Sequence, residues 1–350
     1  MNRIRKLAFV FIVISGLLSA MLLSGCDGLL FNDDIGNSDN AQKSQSSESS
    51  RPTETEAEQQ THSSDPSSDS PEEPVVAPLV VIPEILVPDA PGTNVEKNGQ
   101  AVVDYSNRED GYIMAKYTEN TDMKIKLLIT VPDGVQYTYS LIPGRDFEVF
   151  PLSGGDGKYE VGVFKQVEGT RYSMVLSKNI NVSLVDEFAP FLRPNQFVNF
   201  TQDSVAVRKA AELTAGISDV MEKVAAIYDF VISNIVYDME LAETVQSDYL
   251  PEIDRILESG KGICFDYSSL MAAMLRSQSV PTKLVIGYTG DVYHAWISVY
   301  SEEDGWLDNV IFFDGQTWSL VDPTFAAGGS SGALAQFIGD GENYTVRFLH

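Results

Sequence analysis

Residues 262–288 read "GICFDYSSLMAAMLRSQSVPTKLVIGY" and contain one of only two cysteines in the 350-residue chain. After Cys264 the apolar side chains recur at three- and four-residue spacing, which predicts a helix that begins around Ile263. A thiol in the first turn of a helix faces unpaired N–H groups and the positive end of the helix dipole, and both stabilise the thiolate. A lone cysteine is nevertheless more often a small buried hydrophobe, so its interpretation depends on the other residues that the chain supplies.

Two later segments carry a histidine and an aspartate. After Pro281 the apolar period changes to two, which predicts strands in "TKLVIGYTG", "HAWISVY", "TWSLVDPTF" and "NYTVRFLH". His294 lies at the start of the second of these strands, and Asp322 ends the next one, directly before a proline. Taken singly, a strand histidine is usually a core residue, and an aspartate at a strand end is usually a turn former.

Together, the three residues follow an order that resembles the core of the transglutaminase-like superfamily, the papain-related cysteine enzymes. The resemblance is carried by "GKGICFDYSSLMAAMLRSQSVPTKLVIGY", "YHAWISVY", "WSLVDPTF" and the upstream helix ending in "NIVYD", and it covers roughly residues 205–325. It implies an α+β papain-like core. Amphipathic spacing in "SVAVRKAAELTAG" and "DVMEKVAAIYDFVISNIVYD" independently predicts two helices at the start of this segment, with Gly216 as the stop between them.

The resemblance also implies a catalytic triad. Cys264 would attack an amide carbonyl and form a thioester, while His294 would hold the thiolate as an ion pair and then protonate the departing amine. Asp322 would accept a hydrogen bond from the other imidazole nitrogen. Animal members use a tryptophan upstream of the cysteine to stabilise the oxyanion, but all three tryptophans here follow Cys264. Tyr228, Tyr237 or a backbone donor are the candidates for that role.

The first 26 residues are typical of an export signal. Three basic residues precede an apolar stretch from Leu7 to Leu23, and "LSGC" closes it at Cys26. This pattern resembles the lipobox of bacterial lipoproteins, in which the cysteine is lipidated; the alternative is a transmembrane anchor at the short limit for spanning. We therefore expect the protein on the extracytoplasmic face of a bacterial cell membrane, lipid-anchored through Cys26, with Cys264 as its free thiol.

Composition divides the rest of the chain. Residues 27–77 are rich in Ser, Thr, Pro and acidic residues with almost no large apolar side chain, which predicts a disordered acidic tether. Residues 78–190 show short alternating runs separated by "PDG", "PGRD" and "GGDG", which predicts an all-β sandwich of immunoglobulin-like or fibronectin-like type. Residues 200–350 form the predicted catalytic domain.

The charge of the chain limits its partners. A net charge of −26 argues against nucleic-acid binding, because phosphate contacts require a surplus of lysine and arginine. We expect no cofactor and no metal: the acidic "SEEDGWLDN" lacks the ligand spacing of a calcium loop, and "GGSSGA" does not lead into a phosphate-binding helix. The expected partners are a protein or peptide substrate, such as cell-wall peptide, and the membrane through the lipid anchor.

The predicted function is therefore a surface-anchored thiol enzyme that acts on amide bonds. Water as the acyl acceptor would make it a peptidase or amidase, whereas a lysine amine would make it a cross-linking transglutaminase, and the triad is the same in both. The alternative is a non-enzymatic binding or scaffolding lipoprotein of the cell envelope whose working part is the β-sandwich.

Overall fold

The computed structural model describes residues 80–289, 292–313, 318–320 and 344–350. Within the described residues no helix is both long and apolar enough to cross a membrane. The predicted signal segment with Cys26, and the tether, lie outside them.

Eight strands build the predicted sandwich. They are β1 Val95–Lys97, β2 Ala101–Asp104, β3 Tyr112–Tyr117, β4 Ile125–Thr130, β5 Gln136–Leu141, β6 Glu148–Pro151, β7 Gly157–Glu168 and β8 Arg171–Val182. One antiparallel sheet has the order β1-β2-β3-β6 and the other β5-β4-β7-β8. The chain thus leaves the first sheet after β3, returns for β6 and leaves again for β7, as in Greek-key sandwiches.

Period-two alternation produces the core of this sandwich. Buried and partly buried residues alternate strictly along β4, and the same period runs through β5. The inward side chains of both sheets form one apolar cluster, which includes Ile113, Leu127, Tyr139, Phe150 and Val163. The predicted all-β part is therefore present as two packed sheets.

The apolar segment before β1 does not belong to that core. Residues 80–94 form no strand, and Ile85 is buried among the helices that follow the sandwich. The side chain of Gln202 holds the segment in place, accepting from the Ile85 N–H at 2.9 Å and donating to the Pro83 carbonyl at 3.0 Å.

Five helices lie between the sandwich and the last strands. They are α1 Val205–Leu213, α2 Val220–Asn234, α3 Met239–Thr244, α4 Ile253–Ser259 and α5 Cys264–Ser277. The sequence predicted α1, α2 and α5, and Gly216 does lie between the first two with φ +80°. The short helices α3 and α4 were not predicted, because six or seven residues are too few to show a clear apolar period.

The five described strands that follow α5 form one sheet over that helix. They are β11 Thr282–Thr289, β12 Val292–Ser301, β13 Gly305–Phe313, β14 Trp318–Leu320 and β15 Tyr344–Leu349, in the order β14-β13-β12-β11-β15. Two short strands, β9 Val236–Tyr237 and β10 Lys261–Gly262, pair in parallel at the start of α5. Helix α5 packs against β11 and β12 on one side and against α1, α2 and α4 on the other.

One sequence expectation about this sheet is wrong. The sequence predicts that the strand ending at Asp322 directly follows the strand of His294, but β13 lies between β12 and β14. The sequence predicts no strand at β13, because the glycine and acidic residues of "SEEDGWLDN" come before its apolar run and obscure it. Asp322 itself lies outside the described residues.

Candidate active site

Cys264 is the first residue of α5 and is half-buried, with its thiol outside any disulfide. The preceding β10 residues pair with β9, so that Gly262 lies opposite Tyr237. The pair is extended by a hydrogen bond from the Asp238 N–H to the Gly262 carbonyl at 2.9 Å. This pairing fixes the direction in which the chain enters α5 and places the cysteine at the positive end of the helix dipole.

Asp266 secures the first turn of α5. Its carboxylate accepts from the Ile263 N–H at 2.9 Å and from the Tyr249 hydroxyl at 2.7 Å. Because the carboxylate is fully buried, desolvation raises the pKa of Asp266. The Tyr249 partner of Asp266 comes from the loop before α4 and has no sequence signal.

The body of α5 is buried on every side. All of its residues from Asp266 to Ser277 are buried, and the Tyr267 hydroxyl donates to the Ile235 carbonyl at 2.6 Å. That hydrogen bond ties α5 to the chain just before β9. The helix that presents Cys264 is therefore held by its neighbours along its whole length.

His294 lies near the start of β12, the strand against which α5 packs. Its side chain is 7% exposed, and its ring lies 6.2 Å from the ring of the buried Trp296, nearly parallel to it. The Nε2 atom is buried and has no hydrogen-bond partner among the described residues. Burial lowers the pKa of His294 to about 4, so these surroundings favour the neutral imidazole.

The backbone opposite His294 is held open by a glycine. Gly287 of β11 pairs with His294, and the register between β11 and β15 shifts at this residue. A Cβ atom at Gly287 would clash with the Thr345 carbonyl oxygen and would lie 2.8 Å from the Trp296 ring. Only glycine therefore permits β15 and Trp296 to approach this closely beside the histidine.

The two tyrosines considered for the oxyanion role lie in different surroundings. Tyr228 is in the middle of α2, buried in the apolar cluster around α5. Tyr237 is half-buried in β9, directly opposite the glycine that precedes Ile263 and Cys264. By backbone position Tyr237 is the candidate closer to the cysteine, and Asp322 lies outside the described residues.

Sequence reasoning missed one buried histidine. His350 is 3% exposed, and its Nδ1 atom shares a hydrogen bond of 3.0 Å with the Tyr139 hydroxyl. The buried guanidinium of Arg276 donates to the His350 backbone oxygen at 2.6 Å. Burial and the charge of Arg276 lower the pKa of His350 to about 3. His350 thus joins α5 to the sandwich and lies outside the site.

Among the described residues no cluster of three or more His, Cys, Asp or Glu side chains could hold a metal ion. Around α5 the described residues place a thiol at the start of the helix and an imidazole on the strand packed against it.

Comparison with protein families gives the class of this region. Residues 207–323 match the family described as "Transglutaminase-like superfamily", and the matched range spans Cys264, His294 and Asp322. The resemblance predicted from the sequence is thereby confirmed: this part of the chain is a transglutaminase-like core with mixed α and β structure.

The individual proteins that resemble this chain match only part of it or share low sequence identity with it. An uncharacterized protein of Bacillus subtilis (strain 168), YebA, is 31% identical over 118 residues, a match that covers 28% of this chain and only 16% of the relative. A protein of Cytophaga hutchinsonii provisionally assigned as a cysteine protease is 18% identical, with a TM-score of 0.34 over 67% of this chain and 73% of its own. Red sea bream transglutaminase is 14% identical, with a TM-score of 0.24 over 61% of this chain and 48% of its own. TM-scores below 0.5 do not by themselves establish a shared fold.

Proposed function

We propose that this protein is a thiol enzyme that acts on amide bonds through a thioester, with Cys264 as the nucleophile. The proposal rests on the position of Cys264, which is the first residue of the buried helix α5. The strand that contains His294 packs against this helix. A thiol held there gains thiolate character from the helix N-terminus, and a nearby imidazole supplies the base.

The proposed reaction uses His294 twice. In the first step His294 takes the proton of Cys264 as the sulfur attacks the amide carbonyl. In the second step His294 gives that proton to the departing amine, the C–N bond breaks, and the acyl group remains on the sulfur as a thioester. Asp322 would accept a hydrogen bond from the imidazole and stabilise its charged form. Such a partner would also satisfy the buried His294 Nε2 atom, which lacks one among the described residues.

The pKa of His294 determines the resting form of this pair. Burial alone lowers it to about 4, which disfavours a standing imidazolium. The negative charges of the thiolate and of Asp322 act in the opposite direction. A resting thiolate–imidazolium pair therefore requires the negative charges of the thiolate and of Asp322 to raise the pKa of His294 by more than burial lowers it. If they did not, the neutral imidazole would act as a general base only during the attack on the amide.

Tyr237 is our candidate for an oxyanion donor, together with backbone N–H groups at the start of α5. Support comes from its pairing with Gly262 at the entry to the helix. Water is the favoured acyl acceptor, as the predicted core has short loops, so we propose a peptidase or amidase rather than a cross-linking enzyme.

We further propose that the enzyme acts outside the cell, attached through Cys26 and held away from the membrane by the polar segment 27–77. This rests on the sequence pattern of the first 26 residues and on the composition of the segment. A target such as wall peptide would suit that position.

The test is the rate at which Cys264 reacts with iodoacetamide between pH 4 and pH 10, in the full chain carrying Cys26→Ser. An ordinary thiol has a pKa of about 8.5 and reacts appreciably only at high pH. We expect reaction well below that range and its loss in His294→Gln, but not in the matched variant His62→Gln. A thiol that titrates like free cysteine regardless of His294 would contradict the proposal and favour the non-enzymatic binding role.

A further inference from the structure

Tyr249 lies in the loop between α3 and α4 and reaches the first turn of α5. Its side chain is half-buried, and its hydroxyl donates to the Asp266 Oδ1 atom at 2.7 Å. The carboxylate that accepts this hydrogen bond has no exposed surface. A residue from outside the helix therefore contacts a buried charge at the point where α5 begins.

The Asp266 carboxylate is folded back toward the residues that precede the nucleophile. Its Oδ2 atom accepts from the Ile263 N–H at 2.9 Å, and a Cβ atom at Gly262 would lie 2.7 Å from the Asp266 Cβ atom. Since Ile263 directly precedes Cys264, standard bond lengths place this oxygen within about 8 Å of the Cys264 Cα atom. A negative charge at that distance in a protein interior opposes ionisation of the thiol.

The hydrogen bonds of Asp266 determine whether it carries that charge. Burial raises the pKa of Asp266, because desolvation disfavours the ionised form. The Ile263 N–H and the Tyr249 hydroxyl act in the opposite direction, each on a different oxygen of the carboxylate. The Ile263 donor belongs to the backbone, whereas the tyrosine donor is a side-chain group that phenylalanine lacks.

Three charged residues of neighbouring elements also face this pair. Burial is the main cause of the raised pKa of both Asp266 and Tyr249. Asp238, the N-cap of α3, adds to the rise at Asp266, and Glu252, the N-cap of α4, adds to the rise at Tyr249. Arg255 of α4 lowers both, but its side chain is exposed and its charge is screened by solvent. The tyrosine hydroxyl is thus the side-chain group that contacts the carboxylate directly.

We propose that Tyr249 is a positioning residue for the nucleophile. By donating to Asp266 it keeps the carboxylate ionised and bound to the Ile263 N–H, and it thereby sets the pH range over which Cys264 forms its thiolate. This inference rests on the proposed function only in naming Cys264 as the nucleophile, because ionisation of the thiol is measured without a substrate.

Ionisation of Asp266 should produce a step in the rate at which Cys264 is alkylated. Below the pKa of Asp266 the carboxyl group is neutral, and above it the negative charge lowers the thiolate fraction about threefold, which equals half a pH unit. Loss of the Tyr249 hydroxyl removes a hydrogen bond to the ionised form and therefore raises the pKa of Asp266, by about one pH unit. The step should move to higher pH by the same amount.

The test compares four full-length chains that all carry Cys26→Ser: the parent, Tyr249→Phe, Asp266→Asn and the double variant. The rate of reaction with iodoacetamide is measured by mass spectrometry from pH 4 to pH 10. We expect Tyr249→Phe to react up to threefold faster than the parent between the two steps, and at the same rate below and above that interval. Asp266→Asn should lack the step, and adding Tyr249→Phe to it should change nothing. Tyr172→Phe, a half-buried position on β8 of the sandwich, is the matched control and should follow the parent.

Two results would overturn the inference. One is a profile for Tyr249→Phe that coincides with that of the parent. The other is a change of equal size at every pH, with and without Asp266→Asn, because Tyr249 would then act only through the stability of the fold. A step caused by His294 would persist in Asp266→Asn, so the two groups are distinguished. The proposed function fails on a different result, a thiol that titrates like free cysteine regardless of His294, and the effect of Tyr249→Phe would still be measurable on such a thiol.

Discussion

The ring of Phe265, the residue after Cys264, lies edge-on against the ring of Phe197, with their centroids 5.4 Å apart. Phe197 belongs to the segment that connects the sandwich to the helices, and it packs against the apolar clusters of both. Its other ring contacts are Tyr139 of β5, at 5.3 Å, and His350, at 4.7 Å. A single side chain thus links the sandwich core to the first turn of the helix that presents the thiol.

Replacing Phe197 should therefore weaken the packing of the sandwich core and of the first turn of α5 at the same time. For Phe197→Ala we expect a loss of about 2–3 kcal/mol in the free energy of unfolding, below the full range for a buried phenylalanine because the ring is only half-buried. Urea denaturation followed by tryptophan fluorescence measures this loss. Phe197→Leu, which keeps most of the apolar volume, should lose about 1 kcal/mol. Equal stability of the alanine variant and the parent would mean that the ring link carries no packing energy.

The Asp266 carboxylate should hold back the ionisation of Cys264. Both residues are in the first turn of α5, and a negative charge beside a thiolate raises the pKa of the thiol. In Asp266→Asn the side-chain oxygen can still accept from the Ile263 N–H, and the amide can donate to the Tyr249 oxygen, so the turn is kept. We expect the midpoint of iodoacetamide reactivity to move down by about half a pH unit, or ~0.7 kcal/mol.

The matched control for that change is Asp229→Asn, on an exposed position of α2. It removes the same charge without touching α5 and should leave the midpoint in place. An upward shift of the midpoint in Asp266→Asn would indicate that the carboxylate orders the helix start more than it repels the thiolate.

Gly287 should tolerate no side chain. A Cβ atom there would meet the Thr345 backbone oxygen and the Trp296 ring, and neither can move without opening the pairing of β11 with β15. We expect Gly287→Ala to lower the free energy of unfolding by about 1–3 kcal/mol, as overpacking does. Gly99→Ala, where a Cβ atom would meet nothing within 4 Å, is the control and should be close to neutral. Circular dichroism during thermal unfolding separates the two outcomes.

The sequence predicted the elements that have a clear apolar period. The five longer strands of the sandwich, the long helices and α5 with Cys264 at its start were readable, because burial of one face imposes the period. The sequence did not predict β1, β2, β6, α3, α4 or β13, which are short or preceded by polar turn residues. The neighbours of a strand in a sheet are set by long-range pairing, so β13 between β12 and β14 left no local signal.

For the candidate site, sequence order supplied residue types but few contacts. Cys264 and His294 were singled out because their order along the chain resembles the transglutaminase-like superfamily, and each lies at a local feature, a helix start or a strand start. The hydrogen bond from the Tyr249 hydroxyl to Asp266 and the contact of the Phe197 ring with Phe265 depend on segments that meet only in the folded chain.

His350 should make the stability of the folded chain depend on pH. Burial and the charge of Arg276 lower its pKa from about 6.5 to about 3, so the folded chain keeps the imidazole neutral where the unfolded chain protonates it. As the pH falls below about 6.5 the unfolded state therefore binds the extra proton, and the free energy of unfolding decreases until the pH reaches about 3. By pH 5 the loss from this one group should be about 2 kcal/mol. His350→Gln keeps an acceptor for the Tyr139 hydroxyl but cannot titrate, so its urea midpoint should fall less between pH 7 and pH 5 than that of the parent. The control variant His62→Gln, in the segment predicted to be a tether, should show the same decrease in urea midpoint as the parent. If the urea midpoints of the parent and of His350→Gln decreased equally between pH 7 and pH 5, His350 would not be the group that titrates.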